Sequence, residues 1–89
     1  MELVRMGSES YVPVEDAPKL LDKALEHGVG VLGIEGFNVD GPFLIPDIGT
    51  IVSFDKIVGP EAARRRTEAA IALVKELAAE VSLVCISFE

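Results

Sequence analysis

The run Val81-Ser82-Leu83-Val84-Cys85-Ile86-Ser87-Phe88 is apolar on both of its alternating sets. A strand with one wet face alternates strictly between apolar and polar residues. One that is apolar on both sets is enclosed, and it belongs in the middle of a sheet. The rest of the chain must therefore supply strands to flank this one and helices to cover it.

Helical periodicity begins at Asp16. Ala17, Leu20, Leu21, Ala24 and Leu25 repeat at spacings that line one face of a helix. Asp16 is placed as its N-cap, Pro18 falls in the first turn and Gly28 ends it. A longer helix is predicted from Gly59-Pro60-Glu61, with Ala63, Thr67, Ala70, Leu73, Val74, Leu77, Ala78 and Val81 as its buried stripe. Between the helices, Val29 to Phe37 and Thr50 to Phe54 read as an antiparallel pair. Residues Asn38 to Asp47 read as their connection, because Asp40-Gly41-Pro42 is a strong turn signal and Pro46 fits only a strand edge or a loop. A short extra strand over Phe43 to Ile45 is an option within it. Ahead of the first helix, Leu3 to Met6 and Tyr11 to Val14 supply edge-strand segments around a flexible break at Gly7-Ser8-Glu9-Ser10, so that residues 1–14 form an edge strand and a flexible N-terminal segment. The order is (β)αββαβ. It predicts an α+β two-layer sandwich, two helices packed on a small mixed or antiparallel sheet, in one domain spanning residues 1–89.

Charge and composition narrow the function. The chain carries 8 Lys and Arg against 15 Asp and Glu, a formal net charge of −7. Nucleic acid is excluded as a direct ligand, since phosphate binding depends on clustered cations. The one basic cluster, Arg64-Arg65-Arg66, has Glu61 and Glu68 at helical spacing to pair with Arg65 and Arg64, the pattern of a solvated helix face. No apolar run reaches the ~20 residues of a membrane helix, and Met1 to Arg5 lack the features of a secretory signal. A single cysteine, Cys85, makes no internal disulfide, which favours the cytoplasm.

Motif chemistry points away from catalysis. Gly28-Val29-Gly30-Val31-Leu32-Gly33 matches the dinucleotide-binding pattern in letters, but a helix precedes the glycines and a strand follows. Pyrophosphate binding needs the reverse order. His27, the only histidine, falls at the end of the first helix, where the dipole accounts for it, and it has no second histidine or nearby cysteine for a zinc site. Cys85 reads as core. No cofactor is expected.

What stands out is the stretch from Ala24 to Phe54, which contains no Lys or Arg. Glu35, Asp40 and Asp47 lie within it and Asp55 follows it, interleaved with Phe37 and Phe43. Acids without counter-charge around aromatic anchors form a surface that steers and docks a basic protein. Glu35, Phe37, Asp40, Phe43, Asp47 and Asp55 are accordingly the candidate contact residues, and no catalytic nucleophile with its base accompanies them. Two other readings stay open: a small enzyme or ligand-binding domain using Glu35 with His27, and a self-associating subunit that forms a homodimer through a strand edge.

The segment from Leu21 to Phe37, a helix ending in Glu-His-Gly followed by Val31-Leu32-Gly33-Ile34-Glu35-Gly36-Phe37, resembles the fortieth family of immunity proteins of bacterial polymorphic toxin systems. Leu32 and Gly33 match that family's pattern directly, and Glu35 and Phe37 stand at its acidic and aromatic positions. Ile34 replaces its second glycine, and the tryptophan that follows its hairpin is missing here. The resemblance implies an inhibitor that binds a cognate toxin, often a nuclease, in the cytoplasm of the producing cell.

Overall fold

Residues 8–89 are described by a computed structural model. The elements run β1 (Ser8–Pro13), a 3-10 turn (Val14–Asp16), α1 (Ala17–Glu26), β2 (Val31–Asp40), β3 (Phe43–Ser53), α2 (Ala62–Leu77) and β4 (Leu83–Phe88). The four strands form one sheet in the order β1-β4-β2-β3, and every pairing is antiparallel. The expected α+β sandwich is present, and β4 is enclosed by β1 and β2 as its doubly apolar pattern requires.

Both helices cover the same face of the sheet. Ala17, Leu21 and Ala24 of α1 and Ala70, Val74 and Leu77 of α2 join Val31, Ile34, Val84, Ile86 and Phe88 in one buried cluster. Burying a Leu, Ile or Val side chain contributes roughly 1.5–3 kcal/mol, so this cluster holds the two layers together. Thr67 is buried among these residues because its hydroxyl donates to the carbonyl oxygens of Val29 and Ala63, at 2.8 and 3.0 Å.

Several local expectations are corrected. Ser8, Glu9 and Ser10 are not a flexible break; they pair with Phe88, Ser87 and Ile86, because the edge of β4 needs hydrogen-bond partners whatever the local propensity. The segment Leu3 to Met6 lies outside the described residues. Asp16 precedes α1 but makes no capping hydrogen bond; the 3-10 turn brings the chain into the helix instead. The second helix starts at Ala62. Gly59 (φ 97°) and Glu61 (φ 59°) are left-handed around Pro60, so that tripeptide is a turn leading into the helix and not its first turn. Ala78 is exposed, since α2 has ended at Leu77. Arg64 takes both neighbouring acids, Glu61 at 2.6 Å and Glu68 at 3.2 Å, and the expected Arg65–Glu61 pair is absent.

The largest correction concerns residues 38–47, which were expected to be a connection holding at most a short strand over Phe43 to Ile45. They are two strand arms joined by Gly41-Pro42 alone, with Asp40 paired to Phe43. Gly41 has φ 60° and proline's ring holds φ near −65°, the combination of a type II′ hairpin turn. Turn-forming composition in this segment marks one tight reversal; cross-strand pairing extends the strands on either side of it.

Candidate functional site

Every residue from 38 to 46 is exposed. The distal part of the β2–β3 hairpin is therefore a two-stranded arm with neither face covered. A hairpin of this kind is marginal by itself, and the structure ties it down at its base. Opposite Glu35, the single β2 residue between Ile34 and Gly36, β3 inserts the four residues 48–51. The inserted segment is closed by Asp47, whose Oδ1 accepts from the Gly49 N–H at 3.2 Å. The Thr50 hydroxyl donates to the Asp47 carbonyl oxygen at 2.8 Å and accepts from the buried Gly36 N–H at 3.1 Å. Gly36 is required by this close approach, since a Cβ there would collide with Thr50 Oγ1 and lie 2.8 Å from Val81 Cγ1. Beyond the insertion, the Asn38 amide bridges the Glu80 carbonyl oxygen and the Ser82 hydroxyl, at 3.4 and 3.3 Å.

The six residues singled out in the sequence separate into four settings. Asp40 and Phe43 face each other at the tip of the arm, and Phe43 is 67% exposed. Asp47 is half-buried and occupied by its turn. Glu35 and Phe37 lie on the face of the sheet away from the helices, because Ile34 and Gly36 on either side of Glu35 point into the core. Asp55 follows β3 at the end opposite the tip and does not join the other five.

That second face is built in rows. Pro13, Leu83, Phe37 and Pro46 pair in register across all four strands; the next row is Tyr11, Cys85 and Glu35. Phe37 and Cys85 are both buried, yet neither belongs to the core cluster beneath the helices. Cys85 is buried, as expected from its strand, but on the face away from the helices. The Tyr11 and Phe37 rings lie over this region with centroids 5.7 Å apart and planes tilted by 50°. Burial pushes the Cys85 thiol above its usual pKa. The neighbouring thiolate raises Tyr11 in turn, because a second negative charge beside it is disfavoured.

Several apolar side chains of the strands are still reached by water: Tyr11, Val39, Leu44, Ile45 and Ile51 are all between 46 and 56% exposed. Sequence reasoning missed all of them. For Tyr11 a usable signal was present in the alternation Glu9, Tyr11, Pro13 against Ser10, Val12. A strand over Phe43 to Ile45 was an option in the sequence, but the turn-like composition hid its pairing with Asn38 to Asp40 and so the exposure of Val39, Leu44 and Ile45 on a bare arm.

The charges are segregated. Among the described residues every Lys and Arg lies on a helix or in a loop: Lys19 and Lys23 on α1, Lys56 after β3, and Arg64, Arg65, Arg66 and Lys75 on α2. The strands carry Glu9, Glu35, Asp40 and Asp47 and no cation. The ion pairs among the described residues are made by Arg64 and Arg66 of α2, the latter reaching Glu89 at 2.6 Å.

His27 is on the other layer. It lines an open groove of about 370 Å³ with Leu20, Lys23, Val29 and Phe88, between the end of α1 and the end of β4. Glu35 lies across the sheet from it, so the two do not share a pocket. No group of three His, Cys, Asp or Glu among the described residues could hold a metal ion, and no described helix is long and apolar enough to cross a membrane. Comparison with known protein families gave no match, and neither did comparison with curated protein sequences.

Proposed function

We propose that this chain is a protein-binding inhibitor, an immunity protein that neutralises a cognate bacterial toxin in the cytoplasm by docking a basic surface of it. The observation that carries this reading is the β2–β3 arm. Val39, Phe43, Leu44 and Ile45 stand exposed around Asp40, in strands that contain no Lys or Arg. A soluble chain seldom leaves large apolar side chains clustered in water unless a partner covers them. Aromatic and aliphatic anchors supply the buried centre of such an interface, and the acids around them steer a basic partner and set its orientation. The resemblance of Leu32-Gly33 and the acid and aromatic positions Glu35 and Phe37 to an immunity family agrees with this reading.

The test is capture of partners from lysate of the source cell at low and moderate salt, with wild-type, Asp40→Lys and Phe43→Ser chains as bait. Both side chains are exposed, so the fold should survive either change. The reading expects one stoichiometric basic protein, held less tightly as salt rises, retained poorly by Phe43→Ser and captured several-fold more slowly by Asp40→Lys. Equal retention by all three baits would remove the arm from the interface.

A further inference from the structure

We infer that the helix-free face of the sheet, with Glu35 near its middle, is the surface on which the basic partner seats, and that it receives a cationic side chain of that partner against Glu35. This rests on the protein-binding reading above and extends it from the arm to the sheet itself.

The face is continuous. Pro13, Leu83, Phe37 and Pro46 form one row across the sheet, Tyr11, Cys85 and Glu35 the next, and the Val39–Leu44 pair carries the same surface out along the arm. No described element packs over it, since both helices contribute to the cluster on the opposite side. Tyr11 is 56% exposed while shielding Phe37 and Cys85, which are 8% and 2% exposed. A tyrosine in that position presents a large, rigid, half-wet ring of the kind that anchors interfaces.

Glu35 decides what can cover this face. It is half-buried, and no ion pair among the described residues includes it. Its cross-strand neighbour is Cys85, which offers no positive charge. A purely apolar partner would strip water from the carboxylate and leave it unpaired, a strongly unfavourable outcome. A second copy of this chain stacked face to face would bring Glu35 towards another Glu35, with Glu9 of each chain adding to the repulsion. A basic partner alone removes the penalty, by placing Arg or Lys against Glu35 while its apolar side chains cover Tyr11 and Leu83. Every described cation lies on a helix or in a loop, so the described strands present only negative charge to an approaching basic partner.

The experiment uses a defined probe. Amide shifts of the 15N-labelled protein are followed during titration with a capped peptide of alternating arginine and tryptophan, and with its citrulline analogue, which keeps the shape and removes the charge. The proposal expects shifts centred on Tyr11, Glu35, Phe37 and Cys85, a much weaker response to the citrulline peptide, and at least about a five-fold loss of affinity in Glu35→Gln, as for removal of one member of a charged pair. Among the described residues no side-chain hydrogen bond involves Glu35, so an unchanged spectrum for free Glu35→Gln should establish that the variant is folded. Shifts confined to Asp40, or to Glu61 and Glu68 on α2, would overturn it, as would equal affinity for Glu35→Gln or no binding of the peptide. If capture in the source lysate still depended on Phe43, the inhibitor reading would stand and only the sheet-face docking would fall.

Discussion

The two faces of this sheet are made from the same four strands and behave as different materials. On the helix side, Leu21, Val31, Ile34, Val74, Val84 and Ile86 are fully buried, and the hydroxyls of the buried Thr67 and Thr50 are hydrogen-bonded. On the other side, among the described residues, Phe37 and Cys85 are buried beneath a tyrosine that is itself exposed, and a carboxylate lies beside them. The first face holds the fold. The second buries Phe37 and Cys85 but keeps Tyr11, Val39 and Leu44 about half in water.

The contrast is broken most directly by truncating one residue on each face. Ile86→Ala should cost about 2–5 kcal/mol in urea unfolding, because the enclosed site cannot collapse around the lost atoms. Tyr11→Ala, whose ring is already half in water, should cost no more than about 1 kcal/mol. Comparable losses would mean that both faces are structural.

A smaller effect probes the junction between the covered sheet and the bare arm. Gly36→Ala places a methyl group between Thr50 and Val81 and should destabilise by about 1–3 kcal/mol through overpacking. Because the same contact anchors the inserted segment of β3, protection of the arm's amides from hydrogen exchange should fall more than protection of β4. A uniform loss would show that arm and sheet unfold as one unit.

The smallest expected effect concerns pH. Cys85 is raised above its usual 9.0 by burial, and Tyr11 above its usual 10.0, chiefly by the thiolate beside it. In both cases the unfolded chain loses its proton first. Stability is therefore fully present below about pH 9 and falls as pH rises through the folded-state values. Urea midpoints taken between pH 7 and 10.5 should show this decline in the wild type. Cys85→Ala should flatten it at both steps, since it removes one titration and the main cause of the other. A decline unaltered by Cys85→Ala would place the alkaline sensitivity elsewhere.

Much of the architecture was legible in the chain. The apolar spacing in α1 and α2 and the doubly apolar run of β4 are local patterns, and local patterns survive into the structure. Within residues 38–47 the strand over Phe43 to Ile45 was legible as an option, but the length of the two arms was not, because Asn, Asp, Gly and Pro favour turns while strand pairing is a property of two segments. Of the contact residues proposed from sequence, Phe43 and Asp40 do meet at an exposed tip. Asp47 is taken up by its own turn, and Asp55 lies at the far end of β3. The row that joins Tyr11 to Glu35 was invisible, because it depends on which strands become neighbours.

Sequence by itself therefore determined the elements, their order, the central place of β4 and the absence of cations from the hairpin, since periodicity and composition are written residue by residue. Tertiary structure alone decided which way the side chains face. Leu32 has no β4 partner, a slip that turns both Val31 and Ile34 into the core, and four residues of β3 stand opposite Glu35. Each insertion in a ladder with a period of two exchanges the faces beyond it. Of the acids and aromatics that composition grouped in one charged loop, Glu35 and Phe37 thereby came to lie on the helix-free face, while Asp40 and Phe43 stand at the tip of the arm.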